Sequence, residues 1–174
     1  LGDVYKRQAA YSLISKAKEL IDMRSHKGEH PRMGAVDVCP FIPISGVSMK
    51  ETVDLAHQLG KRVGSELLIP VYCYENAAKN KQRVNLANCR SGEYEGLKNK
   101  LRDVKWKPDY GPNKFNETVA KFGAVAIGAR DFLVAYNINL NTTSTRRANS
   151  VAFDLREAGR VKRKGGTLTG KIIT

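Results

Sequence analysis

The chain has 174 residues, with 30 lysines and arginines against 17 aspartates and glutamates, which gives a formal net charge of +13. Hydrophobic residues make up 41% of the sequence, which excludes an intrinsically disordered chain. No apolar run approaches the ~20 residues that would cross a bilayer. The length fits one domain, and the charge indicates an anionic partner: nucleic acid, an acidic membrane surface or a polyanionic small molecule.

Helix and strand patterns alternate along the first half of the sequence. Residues 9–23 place apolar side chains at helical spacing, without a capping signal before them. Residues 36–44 form an apolar, β-branched run that predicts a buried strand. Ser48 and Glu51 have capping-box spacing and predict the start of a second helix, which a strand over residues 68–74 follows.

The second half predicts a helix over residues 85–103, weakened by Gly92, and then a pair of strands over 124–128 and 132–140. Ser144 or a neighbouring threonine is expected to cap a last helix, which Gly159 would end. This order of elements predicts an α/β fold (an α+β sandwich) with helices packed on a mixed sheet.

The three cysteines, Cys39, Cys73 and Cys89, are far apart and form no CxxC pair. An odd number without close pairs argues against a disulfide framework and against a four-cysteine zinc site. We therefore expect reduced, buried thiols in a cytoplasmic protein.

The segment from His26 to Gly34 is rich in chemically useful side chains. His26, Glu29 and His30 have the H-x-x-E-H spacing of one class of zinc peptidase, but that motif requires a helix. Gly28 and Pro31 disfavour a helix here, so we expect no metal site. An extended loop remains, in which His30 is either a proton-transferring group or a hydrogen-bonded loop histidine.

Two other features leave alternatives open. Asn137 and Asn139 share one face of the predicted strand, where they either bond neighbouring backbone or line a polar cavity. The loop over residues 109–115 carries two aromatic side chains and a lysine, and is either a surface turn or a platform for a flat ring.

Several longer stretches resemble the formiminotransferase family, and they occur in the family's order over most of residues 11–164. They include HKGEHPRMGA (26–35), DVCPFIP (37–43), RSGEYE (90–95), PDYGP (108–112), NINL (137–140) and LREAGR (155–160). The resemblance implies transfer of the formimino group from N-formimino-L-glutamate to N5 of tetrahydrofolate, in histidine degradation. Tetrahydrofolate would be the co-substrate, with no metal required.

The resemblance also implies roles for particular residues. The family's catalytic histidine falls on His30, and its folate-contacting loop falls on residues 111–123. With Arg32 and the two asparagines added, the residues expected to bind folate or substrate are Gly111, Pro112, Asn113, Lys114, Phe115, Gly123, Arg32, Asn137 and Asn139. A basic surface would attract the glutamate tail of folate.

The family fold consists of two α/β subdomains of ferredoxin-like character with folate between them. We expect residues 1–8 to be a non-native leader, 9–164 the first subdomain without its first elements, and 165–174 the start of the second. The chain would then be a fragment, incomplete at both ends and inactive alone, of a cytoplasmic homodimeric enzyme. The alternative is a basic nucleic-acid-binding domain, which would lose affinity steeply with salt.

Overall fold

The computed structural model describes residues 2–27, 30–134 and 138–155. The chain divides into two compact units, Leu1–Asp131 and Phe132–Thr174. The helices are α1 (Gly2–Leu20), α2 (Met49–Glu66), α3 (Leu86–Arg90), α4 (Glu93–Lys100), α5 (Glu117–Phe122) and α6 (Thr145–Leu155), and the strands are β1 (Val38–Phe41), β2 (Val71–Glu75) and β3 (Val125–Ala129). Short 3-10 turns lie at Lys81–Arg83 and Val104–Trp106.

The three strands form one parallel sheet in the order β1-β3-β2. Successive side chains of a strand point to opposite faces, so both faces of the sheet are available for packing. Ile127 belongs to a buried cluster with residues of α1 and α2, whereas Ala126 belongs to a second cluster with residues of α3, α4 and α5. Both faces are therefore covered, as is usual for a parallel sheet.

Helix α2 confirms the capping box. The Ser48 side chain accepts a hydrogen bond from the Glu51 backbone N–H at 3.2 Å, and the Glu51 carboxylate accepts one from the Ser48 backbone N–H at 2.8 Å. The helix packs an apolar stripe on the sheet, in which Ala56 and Val63 are fully buried. Two reciprocal bonds at its first turn fix where this helix begins.

The α/β fold class is confirmed, but several predicted boundaries were wrong. Helix α1 begins at Gly2 and ends at Leu20, and the helix predicted over 85–103 is divided at Gly92, which has a φ of +81°. Residues 132–134 and 138–140 form no strand. Their large apolar side chains are exposed, so the alternation there had no neighbouring strand to pack on. The described sheet is consequently parallel rather than mixed.

None of the helices in the described part of the chain is long and apolar enough to span a bilayer.

Candidate active site

Loops that were expected to form the site lie along one edge of the sheet. Parallel strands begin at the same edge, and the loop over residues 30–37 leads there into β1. The Val71 backbone N–H, at the start of β2, donates to the Tyr110 carbonyl at 2.9 Å. The Ala124 N–H, just before β3, donates to the Met33 carbonyl at 2.9 Å. The loops before β1 and β3 and the residues next to Gly111 thus lie along one edge.

Two glycines let the loop after His30 cross the start of β3. Gly34 and Gly123 form an antiparallel bridge. A Cβ added to Gly34 would overlap the Ala124 carbonyl oxygen, and one added to Gly123 would overlap the Met33 carbonyl oxygen. Gly123 also has a φ of +84°, which other residues rarely adopt. This close backbone approach gives Gly123 a structural role beside the site.

A cavity of about 580 Å³ lies at this edge. It is lined by Ile21, Met23, His26, His30, Pro31, Arg32, Gly34, Ala35, Asp37 and Arg90. The structure therefore brings two of the expected site residues, His30 and Arg32, to one cavity. His30 is exposed on the loop, where a ligand can reach it.

Arg32 forms ion pairs with helix α4. Its guanidinium donates to both carboxylate oxygens of Glu95, at 2.8 and 3.0 Å, and lies 3.7 Å from a carboxylate oxygen of Glu93. The bond to Glu95 raises the pKa of the Arg32 guanidinium. Arg32 also donates to the His26 carbonyl at 3.4 Å. Its charge on the cavity wall is therefore compensated by carboxylates of α4.

A second arginine, Arg90, crosses the same loop from the end of α3. It forms a 2.6 Å ion pair with Asp37 and a hydrogen bond to the Pro31 carbonyl. The other carboxylate oxygen of Asp37 accepts a hydrogen bond from the Met33 N–H at 2.9 Å. Sequence reasoning did not identify Arg90, although it lies in a stretch that resembles the family.

The loop over residues 111–115 contributes no lining residue to this cavity. Gly111 has a φ of +81°, and a Cβ there would overlap the Ile69 carbonyl oxygen. Asn113 and Lys114 are exposed and Pro112 is half-buried. Phe115 packs partly against the buried cluster that contains Met33 and Val119. The folate contacts expected of these residues stay predictions.

The two asparagines come after the first compact unit in the chain. Asn137 lies outside the described residues. Asn139 is exposed and belongs to the second unit. Their role in substrate binding stays a prediction.

A buried polar cluster lies beneath the residues next to Gly111. Arg83 and Asp109 form a 2.7 Å ion pair, with only 5% and 4% of their side chains exposed. The same Asp109 carboxylate oxygen accepts a hydrogen bond from the Cys73 N–H at 2.7 Å. The Tyr110 hydroxyl lies 3.1 Å from Nδ1 of His57. These bonds tie the segment that carries Gly111 to β2 and α2.

Three free cysteines are present, as expected. Burial raises the pKa of the Cys73 thiol to about 12 and that of Cys39 and Cys89 to about 11. Thiols that stay protonated at neutral pH are poor nucleophiles. Among the described residues, no three His, Cys, Asp or Glu side chains are close enough to hold a metal ion. Glu29 of the H-x-x-E-H spacing lies outside those residues.

Comparison with known families assigns almost the whole chain. The model of the formiminotransferase domain, N-terminal subdomain, matches residues 4–130, and the model of the formiminotransferase domain matches residues 135–172. The chain belongs to the formiminotransferase family. The two matches meet close to the division between the compact units at Asp131. The leader over 1–8 and the division after 164 stay predictions, and residues 165–174 lie outside the described part.

Individual relatives carry related names. The formimidoyltransferase-cyclodeaminase of Rattus norvegicus is 51% identical over 161 residues, covering 92% of this chain and 29% of the relative. The glutamate formimidoyltransferase of Thermoplasma acidophilum is 50% identical over 150 residues (85% and 48%), and that of Streptococcus pyogenes is 44% identical over 153 residues (88% and 50%). The formiminotransferase chain thus spans half or less of these relatives' lengths.

Proposed function

We propose that this chain is part of a glutamate formimidoyltransferase that transfers the formimino group from N-formimino-L-glutamate to N5 of tetrahydrofolate. The observation that carries the proposal is His30, which lines a cavity with Arg32 in a chain that belongs to the formiminotransferase family. Relatives named glutamate formimidoyltransferase support the same reaction. Family membership also favours folate over nucleic acid as the anionic partner of this basic chain.

The transfer requires two proton movements, for which one imidazole suffices. A bond forms between N5 and the formimino carbon, and the bond from that carbon to the glutamate nitrogen breaks. N5 loses a proton and the departing nitrogen gains one. His30 would accept the first proton and donate it to the leaving nitrogen. Holding both substrates in one cavity would supply much of the remaining acceleration.

Binding is assigned to groups around the loop. Arg32 would bind substrate from the cavity wall, where its guanidinium is also paired with Glu95 and Glu93, and the exposed Lys114 can meet the carboxylates of a folate tail. The remaining folate contacts would come from the backbone beside Gly111 and from Asn137 and Asn139. The complete enzyme would be a homodimer. It would work in the cytoplasm, a compartment in which free thiols such as these three persist.

The experiment uses a chimera, in which this chain replaces the aligned half of the Thermoplasma acidophilum enzyme. His30→Ala is expected to lower kcat at least 100-fold, since general acid–base groups contribute about 10²–10⁴-fold. The dissociation constant for folate should stay within about threefold, because the imidazole acts on the reacting atoms. Discontinuous assays of formimino transfer measure kcat, and equilibrium binding measurements give the dissociation constant for folate.

His26→Ala is the matched control, because His26 lines the same cavity and is also exposed. It should lower kcat by less than about tenfold, which is well below the loss expected when a general acid–base group is removed. A His30→Ala chimera that keeps more than a tenth of its activity would contradict the role. Equal losses in both variants, with zinc bound to the purified protein, would instead favour a metal site. The 174-residue chain alone is expected to show no transfer.

A further inference from the structure

The backbone that follows His30 is held at consecutive residues. The Pro31 carbonyl accepts a hydrogen bond from the Arg90 guanidinium. The Arg32 carbonyl accepts one from the Tyr94 N–H at 2.9 Å, and the Met33 carbonyl accepts one from Ala124 N–H at 2.9 Å. The bond to Pro31 is the closest of these to the imidazole, one residue along the chain.

Arg90 also joins the two ends of the loop that it crosses. Its guanidinium binds the Pro31 carbonyl at one end and a carboxylate oxygen of Asp37 at the other, just before β1. The second oxygen of Asp37 binds the Met33 N–H between them. Both acceptors bind the same terminal nitrogen, Nη2, whose two N–H groups are held in the plane of the guanidinium. Arg90 and Asp37 together therefore determine where residues 31–37 lie.

The ion pair between Arg90 and Asp37 is better suited to fixing the position of the loop than to stabilising the whole fold. Each side chain of the pair is 22% exposed, whereas Arg83 and Asp109 are 5% and 4% exposed. Ion pairs with access to solvent contribute little to the free energy of unfolding. Arg90 nevertheless lies on the wall of the cavity that His30 lines. Loss of its guanidinium should disturb the site before it disturbs the fold.

We propose that Arg90, oriented by Asp37, is a positioning residue that holds the His30 imidazole at the cavity through the Pro31 carbonyl. The proposal rests on the proposed function, because it assigns to His30 the proton transfers of the reaction. It extends the site to the end of α3, which no expected site residue occupies. Arg90 acts on the backbone of the loop, and this role requires no contact between Arg90 and the substrate.

The test compares Arg90→Gln, Asp37→Asn and the double variant in the same chimera. We expect kcat to fall about 10- to 100-fold in each, since misplacement by about 1 Å can cost on the order of 100-fold. KM for both substrates should stay within about threefold, and the melting temperature should change little. The two side chains act as one unit, so their effects should not add. The kcat of the double variant should therefore lie within about threefold of the kcat of the slower single variant.

Arg24→Gln is the matched control. Arg24 forms a 2.6 Å ion pair with Asp22 and a 3.2 Å ion pair with Glu117, and it does not line the cavity. It should leave kcat and KM within about twofold. Arg90→Lys keeps the charge and one donor nitrogen but loses the rigid plane that directs its N–H groups, so it should recover only part of the lost kcat.

Each other outcome overturns the inference in a distinguishable way. Full activity in both Arg90→Gln and Asp37→Asn refutes it and leaves the proposed function intact. A rise in KM at constant kcat would make Arg90 a substrate-binding residue instead. Loss of the folded state in both variants would make the pair structural; if only Arg90→Gln fails to fold, Asp37→Asn decides. A folded, unmodified chimera without transfer activity refutes the proposed function and the inference together.

Discussion

The two compact units use equally amphipathic sequences with opposite results. In the first unit, helix α2 buries Ala56, Leu59 and Val63 completely against the sheet. In the second, helix α6 has a comparable apolar stripe, yet Val151 is 44% and Leu155 37% exposed. None of the described residues of the second unit is buried. Amphipathic spacing therefore specifies a helix, whereas stability requires a surface on which its apolar face can pack.

The largest expected difference concerns apolar truncation in each helix. Leu59→Ala in α2 should lower the free energy of unfolding by about 2–5 kcal/mol, because it leaves a cavity in a closed core. Val151→Ala in α6 removes an exposed side chain and should change it by less than about 0.5 kcal/mol. Urea denaturation of the 174-residue chain measures both. A Val151→Ala loss comparable to that of Leu59→Ala would show that α6 does bury its apolar face in solution.

A matched comparison with a smaller expected effect removes the serine hydroxyl that precedes helix α2 and the one that precedes helix α6. Ser48→Ala should cost about 1 kcal/mol, because it removes a cap from a helix that packs on the core. Ser144 accepts a hydrogen bond from the Arg147 N–H at 3.4 Å, a longer bond at the start of α6. Ser144→Ala should lower helicity measured by circular dichroism without moving the main unfolding transition. If Ser144→Ala shifted that transition as much as Ser48→Ala does, the two units would have to unfold in one cooperative step.

The smallest effect expected is on pH dependence, which should come from the first unit because all three histidines lie there. Burial lowers the pKa of His57 from its ordinary value of 6.5, and the Lys79 ammonium lowers it further, against the opposing charges of Asp109 and Asp54. The unfolded chain then binds more protons near pH 6.5, so stability should fall as the pH falls from about 6.5 through the folded pKa.

His57→Gln should flatten this part of the stability profile, since the amide does not titrate. Denaturation midpoints between about pH 7.5 and 5 measure the slope, above the range in which carboxylates lose their charge. Identical slopes in both proteins would mean that the partly buried imidazole has no part in the loss of stability at mildly acidic pH.

Local sequence signals predicted local structure well. Ser48 and Glu51 located the start of α2, and Pro31 and Gly28 argued correctly against a helix at His30, which lies in a bend. Gly92 correctly marked the weak point between α3 and α4. Each of these signals depends on backbone preferences within a few residues, so no knowledge of the tertiary structure was needed.

Features that depend on distant partners were missed. The alternation over residues 132–140 suggested a strand, but residues 132–134 and 138–140 form none, because a strand requires a neighbour that the sequence pattern cannot supply. The bond between Arg90 and Asp37 joins the end of α3 to the start of β1, and only the folded chain brings them together. The absence of a helix at His30 was therefore foreseeable, whereas the bonds from Arg90 that hold the loop in place were not.

The position of β3 at the centre of the sheet has a consequence for synthesis on the ribosome. Within the described sheet, β1 and β2 both pair with β3, which is the last of the three strands to leave the exit tunnel. Ala126 follows its partner Val38 by roughly 90 residues, which takes roughly 4 to 18 s at ordinary rates of translation. During that interval the strand edges that will pair with β3 are free, so the nascent first unit is open to mispairing for longer than a hairpin-based fold of the same size would be.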